Sequence, residues 1–219
     1  MKAVVRAACA ALFVLPFFLP AIPACAQVTA TAPVTLPPEY NNRWDLYGGF
    51  QYSHFNPGIG RNVPATNLFG WNGTATVYFH PQWGIEMGYR GLHGTMTVFS
   101  NPFGVPPNPA MSENLVLFGP TFRIFRRETW AAGVHVLVGS TYGDFDKDFP
   151  SGVEPNAVNI YNDKLAFAGA IGGWFDHNLS PKLSVRVITD YQPTHYGYGT
   201  QSEFAGSIGI VYKLGTLKK

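Results

Sequence analysis

The chain has 219 residues, of which 46% are hydrophobic, 15% aromatic and only 13% charged, with a formal net charge of +2. Charge at about half the globular average, beside abundant aromatics, suits a surface facing something less polar than water. Lys2 and Arg6 carry the whole basic surplus and lie in a targeting segment; the remainder is formally neutral, which excludes a protein that grips nucleic acid through its phosphates.

That targeting segment is residues 1–26: a basic start, an apolar run from Ala7 to Ile22 broken by Pro16 and Pro20, and the small residues Ala24-Cys25-Ala26 before Gln27. The pattern is a cleaved export signal, because the run is too short and too broken to span a bilayer as a helix. Lipidation at Cys25 is the alternative to its removal. Both cysteines, Cys9 and Cys25, fall here, so cleavage after Ala26 leaves a mature chain without thiols. A Thr/Ala/Pro-rich leader, 27–42, follows without periodicity.

Eight segments of period-two alternation then succeed one another. Residues 44–55 place Leu46, Gly48, Phe50 and Tyr52 on one face, and 70–80 set Trp71, Ala75, Val77 and Phe79 against Asn72, Thr74 and Thr76. In 83–91 the apolar parity is Trp83, Ile85, Met87 and Tyr89, with Glu86 and Arg90 opposite. The fourth, 114–125, opposes Phe118 and Phe122 to Thr121 and Arg123, and Pro120 makes it the weakest strand. Valines 134, 136 and 138 face away from His135 in 130–142; Phe167, Ile171 and Phe175 face away from alanines in 165–175. Residues 182–192 set Val185, Val187 and Tyr191 against Arg186 and Asp190, and 203–214 set Phe204, Ile208, Ile210 and Tyr212 against Ser207 and Lys213.

The connections alternate in length. Pro81-Gln82, Arg126 to Thr129 and His177 to Pro181 are short, whereas Asn56 to Phe69, His93 to Glu113, Gly143 to Lys164 and Pro193 to Ser202 are long. Short turns at one end and long loops at the other predict an all-β, eight-stranded antiparallel up-and-down transmembrane barrel over 43–215, with a tail at 216–219. No segment has helical apolar periodicity, and a chain without helices satisfies its backbone in lipid only by closing. Trp44, Trp71, Trp83 and Trp130 then form an aromatic girdle; Trp174 has inward parity and fits it least.

The charged parity is enclosed: Asp45, Glu86, Arg90, Arg123, His135, Arg186, Asp190 and Lys213 form a lumen network. An eight-stranded barrel is just wide enough for side chains to fill. Counted from the short turns, Glu86 should meet Arg123, and closure should make Asp45 and Lys213 neighbours. Glu86 and Arg90, about 13 Å apart along one strand, are too distant for contact. The network either stabilises a plugged lumen, the preferred reading, or gates a narrow pore.

Signals for catalysis and metals are poor. Six scattered histidines lack zinc spacing. Asp144, Asp146 and Asp148 resemble the start of a calcium loop without its glycine and closing glutamate. Ser53-His54 are adjacent, hence on opposite faces, which works against a lipid-enzyme dyad. The expectation is a non-enzyme that needs no cofactor and no metal.

"DLYGGFQYSHFN", "NLFGWNGTATVYF", "LVLFGPTFRI", "FAGAIGGWFDHNLSPKLSVRVITDYQPTHY" and "GSIGIVYKLG" together resemble outer-membrane β-barrel proteins of the OmpA-like and opacity kind, over roughly residues 43 to 215. The resemblance implies a Gram-negative-type outer membrane, contact with its lipids and lipopolysaccharide, insertion by the barrel-assembly machinery and a monomer. Its motifs are degenerate and specify fold more than activity. Two features depart from it: Tyr212 is followed by "KLGTLKK" rather than closing the chain, and no peptidoglycan-binding domain follows. The expected role is structural or surface interaction through long extracellular loops with an unidentified ligand; the alternatives are a narrow porin-like channel and a lipid A-modifying enzyme.

Overall fold

The computed structural model describes residues 41–58, 63–197 and 199–217. The expected signal segment and all but the last two residues of the expected leader lie outside them. Eight strands close into one antiparallel barrel in sequence order: β1 (Trp44–Asn56), β2 (Thr66–Tyr78), β3 (Trp83–Thr95), β4 (Ala110–Arg126), β5 (Trp130–Asp144), β6 (Leu165–Ser180), β7 (Leu183–His195) and β8 (Gln201–Leu214). Closure is made by β1 on β8, paired from Trp44↔Leu214 to Asn56↔Ser202.

Each strand alternates exposed and buried residues with the predicted parity. What is unusual is which residues lie on which side. Phe50, Met87, Phe118, Ile171 and Ile208 are 54–60% exposed on the outer wall, while Arg90, Arg123 and Arg186 are at most 1% exposed inside. A soluble sheet has the opposite arrangement.

The short turns are tight. Phe79 N–H donates to Trp83 O at 3.0 Å and Trp83 N–H to His80 O at 3.1 Å around the β2–β3 turn, and Arg127 N–H donates to Trp130 O at 2.8 Å across the β4–β5 turn. The β6–β7 turn is shorter than the sequence suggests. Strand β6 runs on to Ser180 through an irregularity between Asn178 and Ser180, and the Ser180 hydroxyl accepts the amides of Lys182 and Leu183.

Strands on the loop side also outrun their predicted ends. β2 begins at Thr66, β3 continues to Thr95 and β4 begins at Ala110. The β3–β4 hairpin persists further still, with Met96 N–H donating to Pro109 O and Val98 N–H to Pro107 O. Pro120 points outward, as read from sequence, and the β4–β5 pairing skips it, as a residue without an N–H requires.

The lumen is polar at the turn end and in the middle, and mixed at the loop end, where an apolar cluster surrounds a buried pair of glutamates. Leu68, Leu92, Leu115, Leu117, Leu137, Ala168 and Ala170 line its loop-side half and merge with a plug from the loops: Met96, Val98, Phe145, Ile160, Tyr161 and Tyr196. Phe145 sits edge-on to Tyr196, ring centroids 5.0 Å apart, the geometry aromatic quadrupoles favour.

Candidate functional site

Three polar groupings occupy the lumen. At the turn end Arg186 grips Asp176 in a bidentate fork, Nε to Oδ1 at 2.6 Å and Nη2 to Oδ2 at 2.9 Å, and its Nη2 also donates to Asp45 Oδ2 at 2.8 Å. The guanidinium of Arg186 lies 4.4 Å from the Trp174 ring centroid, and Trp174 Nε1 donates to Thr121 Oγ1. Arg123 lies over the Tyr78 ring at 3.9 Å, donates to Pro81 O, and places Nη2 3.5 Å from Asp45 Oδ2. Asn42 also hydrogen-bonds Asp45.

Trp174 is therefore an interior residue, and a glycine makes room for it. A Cβ at Gly133 would stand 2.4 Å from the indole.

In the middle His135 lies between two carboxylates, Nε2 2.8 Å from Asp190 Oδ1 and Nδ1 3.1 Å from Glu86 Oε1. A carboxylate near each ring nitrogen favours the imidazolium form, which carries hydrogen on both. Asp190 also takes Arg90 Nη2 at 2.6 Å, while Arg90 Nη1 donates to Gln192 Oε1. Here too a glycine is needed: a Cβ on Gly172 would fall 1.9 Å from Asp190 Oδ1.

At the loop end Glu113 and Glu203 are neighbours, both fully buried. Glu113 Oε1 accepts from Thr141 and Tyr196, and Glu203 Oε2 accepts from Ser53 and Gln192. Two buried carboxylates side by side repel each other when both are ionised, so a proton shared between them relieves the pair. Burial and the neighbouring Glu113 keep the Tyr196 phenol far above its ordinary range, as a neutral donor. Among the described residues, four further carboxylates (Asp45, Glu86, Asp176, Asp190) are enclosed with four cations (Arg90, Arg123, Arg186, Lys213) and His135. Replacing Glu203 by Gln supplies an N–H for Glu113 in the same shape. We expect its unfolding free energy at neutral pH to stay within about 1 kcal/mol of the parent, checked by urea titration in lipid vesicles.

All eight charged residues assigned to the lumen from sequence lie inside, but they pair differently. Glu86 and Arg123 have different partners. Arg123 N–H bonds Gln82 O at the level of the turn, whereas Glu86 is in register with Gly119, four residues further along β4. Asp45 and Lys213 are register partners across the closing seam, yet the Lys213 ammonium donates to Asn178 Oδ1 at 2.7 Å. Glu86 and Arg90 do not touch; His135 and Asp190 link them. Sequence reasoning left out Asp176, Glu113 and Glu203. Asp176 and Glu113 fall one residue beyond the predicted strand ends, and Glu203 has inward parity at the start of β8 that could have identified it.

Trp44 and Trp83 open their strands exposed, Trp83 tilted against Phe122 with ring centroids 4.6 Å apart, and Trp130 packs between Phe125 and Phe175. Trp71, expected at a strand end, lies inside β2 because that strand begins five residues earlier; its indole covers Gly91 and meets Tyr89. On the outer wall, Tyr52 with Phe69 and Tyr191 with Phe204 form aromatic contacts toward the loop end.

The other candidates resolve into local roles. Ser53 is buried against Glu203, while His54 is on the outside bonded to Asn67, so the two form no dyad. Lys164 Nζ sits 3.2 Å from Asp144 and 2.7 Å from Asp146, holding the Asp146 carboxyl below its usual range, and Asp148 accepts Ala110 N–H. A lysine thus occupies the place of the suspected calcium ion. Among the described residues no cluster of three metal-ligating side chains exists.

One loop is built for display. Asn101 donates from Nδ2 to Phe99 O and Val105 O, and accepts Phe103 N–H and Val105 N–H, all at 3.1 Å. The tip so fixed leaves Phe99 62% and Phe103 46% exposed beside a cleft of about 210 Å³ completed by Val63, Ala157 and Val158.

Solved structures of similar shape include bacterial surface and outer-membrane proteins. Neisserial surface protein A superposes with a TM-score of 0.52 at 7% identity, over 78% of this chain and 97% of that one. Ail, the attachment invasion locus protein of Yersinia pestis, gives 0.49 at 15% identity over 78% and 99%. OprH of P. aeruginosa gives 0.43 at 13% over 78% and 99%. No family model and no curated protein matches the chain. The neisserial likeness bears on fold alone.

Proposed function

We propose that this chain is an outer-membrane barrel of a Gram-negative-type bacterium, and that it works by presenting its loops to the surroundings rather than by catalysis or conduction. The observation that carries the reading is the inverted wall: apolar side chains exposed around the outside, fully buried arginines within. Only a bilayer makes that arrangement favourable, at about 25 cal/mol per Å² of apolar surface removed from water. Acyl chains of lipopolysaccharide and phospholipid cover the belt, with Trp44, Trp83 and Trp130 at one boundary and Trp71 with Tyr89 near the other. The barrel-assembly machinery inserts it, and one copy closes its own sheet, so no second copy is needed to pair an edge.

The interaction role rests on the Asn101-fixed tip. Two exposed phenylalanines on a loop fixed beyond the strand ends mark a binding surface, because they lie outside the apolar belt of the strands.

The lumen argues against a pore, since ion pairs and the loop plug fill it. We expect no unitary current steps in planar bilayers; steps would favour the channel instead. Identical lipid A mass profiles with and without the protein are expected, and an altered profile would favour the enzyme.

The orientation is tested by cysteine labelling, since removal of the signal leaves no native thiol. Phe103→Cys should react with a membrane-impermeant maleimide on intact cells, and Lys182→Cys only after the outer membrane is permeabilised. Equal labelling of both, or recovery of the protein in soluble periplasm, would overturn the proposal. Unheated samples should also migrate apart from boiled ones on a denaturing gel, as a resistant barrel does.

A further inference from the structure

We infer that the cleft beside the Asn101-fixed tip binds a basic peptide segment, seating one aliphatic side chain while flanking lysines or arginines meet the acidic loop around it. This rests on the reading above and deepens it, since it names the partner of the same displayed surface.

Three connections make the cleft. Val63 comes from the β1–β2 loop, Phe99 and Phe103 from the β3–β4 hairpin, and Ala157 and Val158 from the β5–β6 loop. That last wall is a 3₁₀ helix over Pro155–Val158. It ends on Asn159 at φ 64°, where Ile160 N–H returns to Pro155 O at 2.9 Å. No ionisable side chain lines the cleft among the described residues. At about 210 Å³ it admits a side chain and not a helix, which is about 10–12 Å across.

The surroundings are acidic. From Asp144 to Lys164 the chain carries Asp144, Asp146, Asp148, Glu154 and Asp163 against Lys147 and Lys164, and the other three long loops add only Arg61. Lys164 is taken up by Asp144 and Asp146, and Lys147 donates to Ser112 Oγ. Asp148, Glu154 and Asp163 are exposed, and among the described residues no cation pairs with them.

These acids border the cleft. Glu154 O accepts Ala157 N–H from the cleft wall at 3.1 Å, and its carboxylate holds Asn162, the neighbour of Asp163. Asp148 Oδ2 accepts Ala110 N–H at the return of the hairpin that carries the phenylalanines. The open faces of Phe99 and Phe103 attract cations as well.

Charge therefore decides the partner. An anionic glycan would be repelled, and a basic segment is drawn in. A second copy of this chain does not fit. Its exposed bases Arg43, Arg126, Arg127 and Lys182 lie at the turn end, across the membrane from the cleft, and two loop ends brought face to face repel.

The test uses the full mature chain in lipid nanodiscs with labelled, terminally blocked peptides. One has a central leucine between pairs of lysines, one a serine between the same lysines, and one the leucine between pairs of glutamates. By fluorescence polarisation the lysine–leucine peptide should bind about tenfold or more tighter than either other, and added salt should weaken it. Glu154→Gln with Asp163→Asn should weaken it about fivefold, as loss of exposed charge pairs does. Phe99→Ser with Phe103→Ser should abolish the preference for leucine over serine, the unheated gel band confirming that each variant is folded.

Equal binding of the lysine and glutamate peptides, or no binding by the parent, would overturn the inference. So would a leucine preference that survives loss of both phenylalanines, or tighter binding of dextran sulfate than of the basic peptide. Maleimide labelling at Phe103→Cys reads display separately. Labelling on intact cells without peptide binding removes this inference alone, whereas peptide binding in nanodiscs without labelling on cells removes the display reading.

Discussion

Arg186→Met should lower the unfolding free energy of the barrel by about 3–5 kcal/mol, the cost of stranding buried charge. Methionine fills much of the same volume, so the loss isolates the guanidinium. That group is the shared partner of two carboxylates, Asp176 at 2.6 Å and Asp45 at 2.8 Å, each at most 1% exposed. Asp45 keeps Asn42 and Arg123, but Asp176 loses both bonds of its fork. The Trp174 ring loses its cation at the same time.

Adding Asp176→Asn to Arg186→Met should recover part of the loss, because it removes the stranded charge instead of leaving it unpaired. Urea titration in vesicles, read by the unheated gel band, measures both. A loss below about 1 kcal/mol would mean that bulk water reaches the turn end of the lumen, as it does for surface ion pairs.

The fold was legible because its main force leaves a period-two mark. Wherever a strand passes through the apolar belt, Leu46 to Tyr52 or Val185 to Tyr191, outward side chains are greasy and inward ones small or polar, and the facing follows. The mark fades where strands leave the belt. Around Glu113 the outward neighbours are Ser112 and Asn114, so contrast between faces vanishes and β4 looks like loop. Glu113 was lost for that reason, and Asp176 similarly beside His177.

Pairing inside the lumen was the least legible. Glu86 and Arg123 each lie three residues from their strand's turn end, which suggested equal height. Strands of a closed barrel tilt and stagger, so equal counts from the turns do not mean equal level. The bonds that matter join distant segments, Arg90 to Asp190 and Arg186 to Asp45. Nothing local in the sequence encodes the shear that brings them together.

Val136→Arg is expected to cost about 2–4 kcal/mol in a bilayer, the price of a guanidinium at lipid-facing mid-depth. Val136 is 47% exposed on the outer wall, in register with Ile171, itself 58% exposed. Ser140→Arg, on the same face nearer the loops, should cost about 0–1 kcal/mol, since the charge reaches the headgroups. Leu137→Arg is destabilising by another route. Leu137 is 1% exposed, its Cα about 3.0 Å from where a Cβ of Gly119 would be, and every lumen carboxylate already has a partner. An arginine there is overpacked and unpaired whatever surrounds the barrel. Lipid chain length separates the two. Shorter acyl chains let the arginine at 136 snorkel to the interface and recover stability, while the variant at 137 should not respond. Equal responses in folding titrations would mean that the valines of β5 do not face lipid, and the transmembrane reading would fail with them.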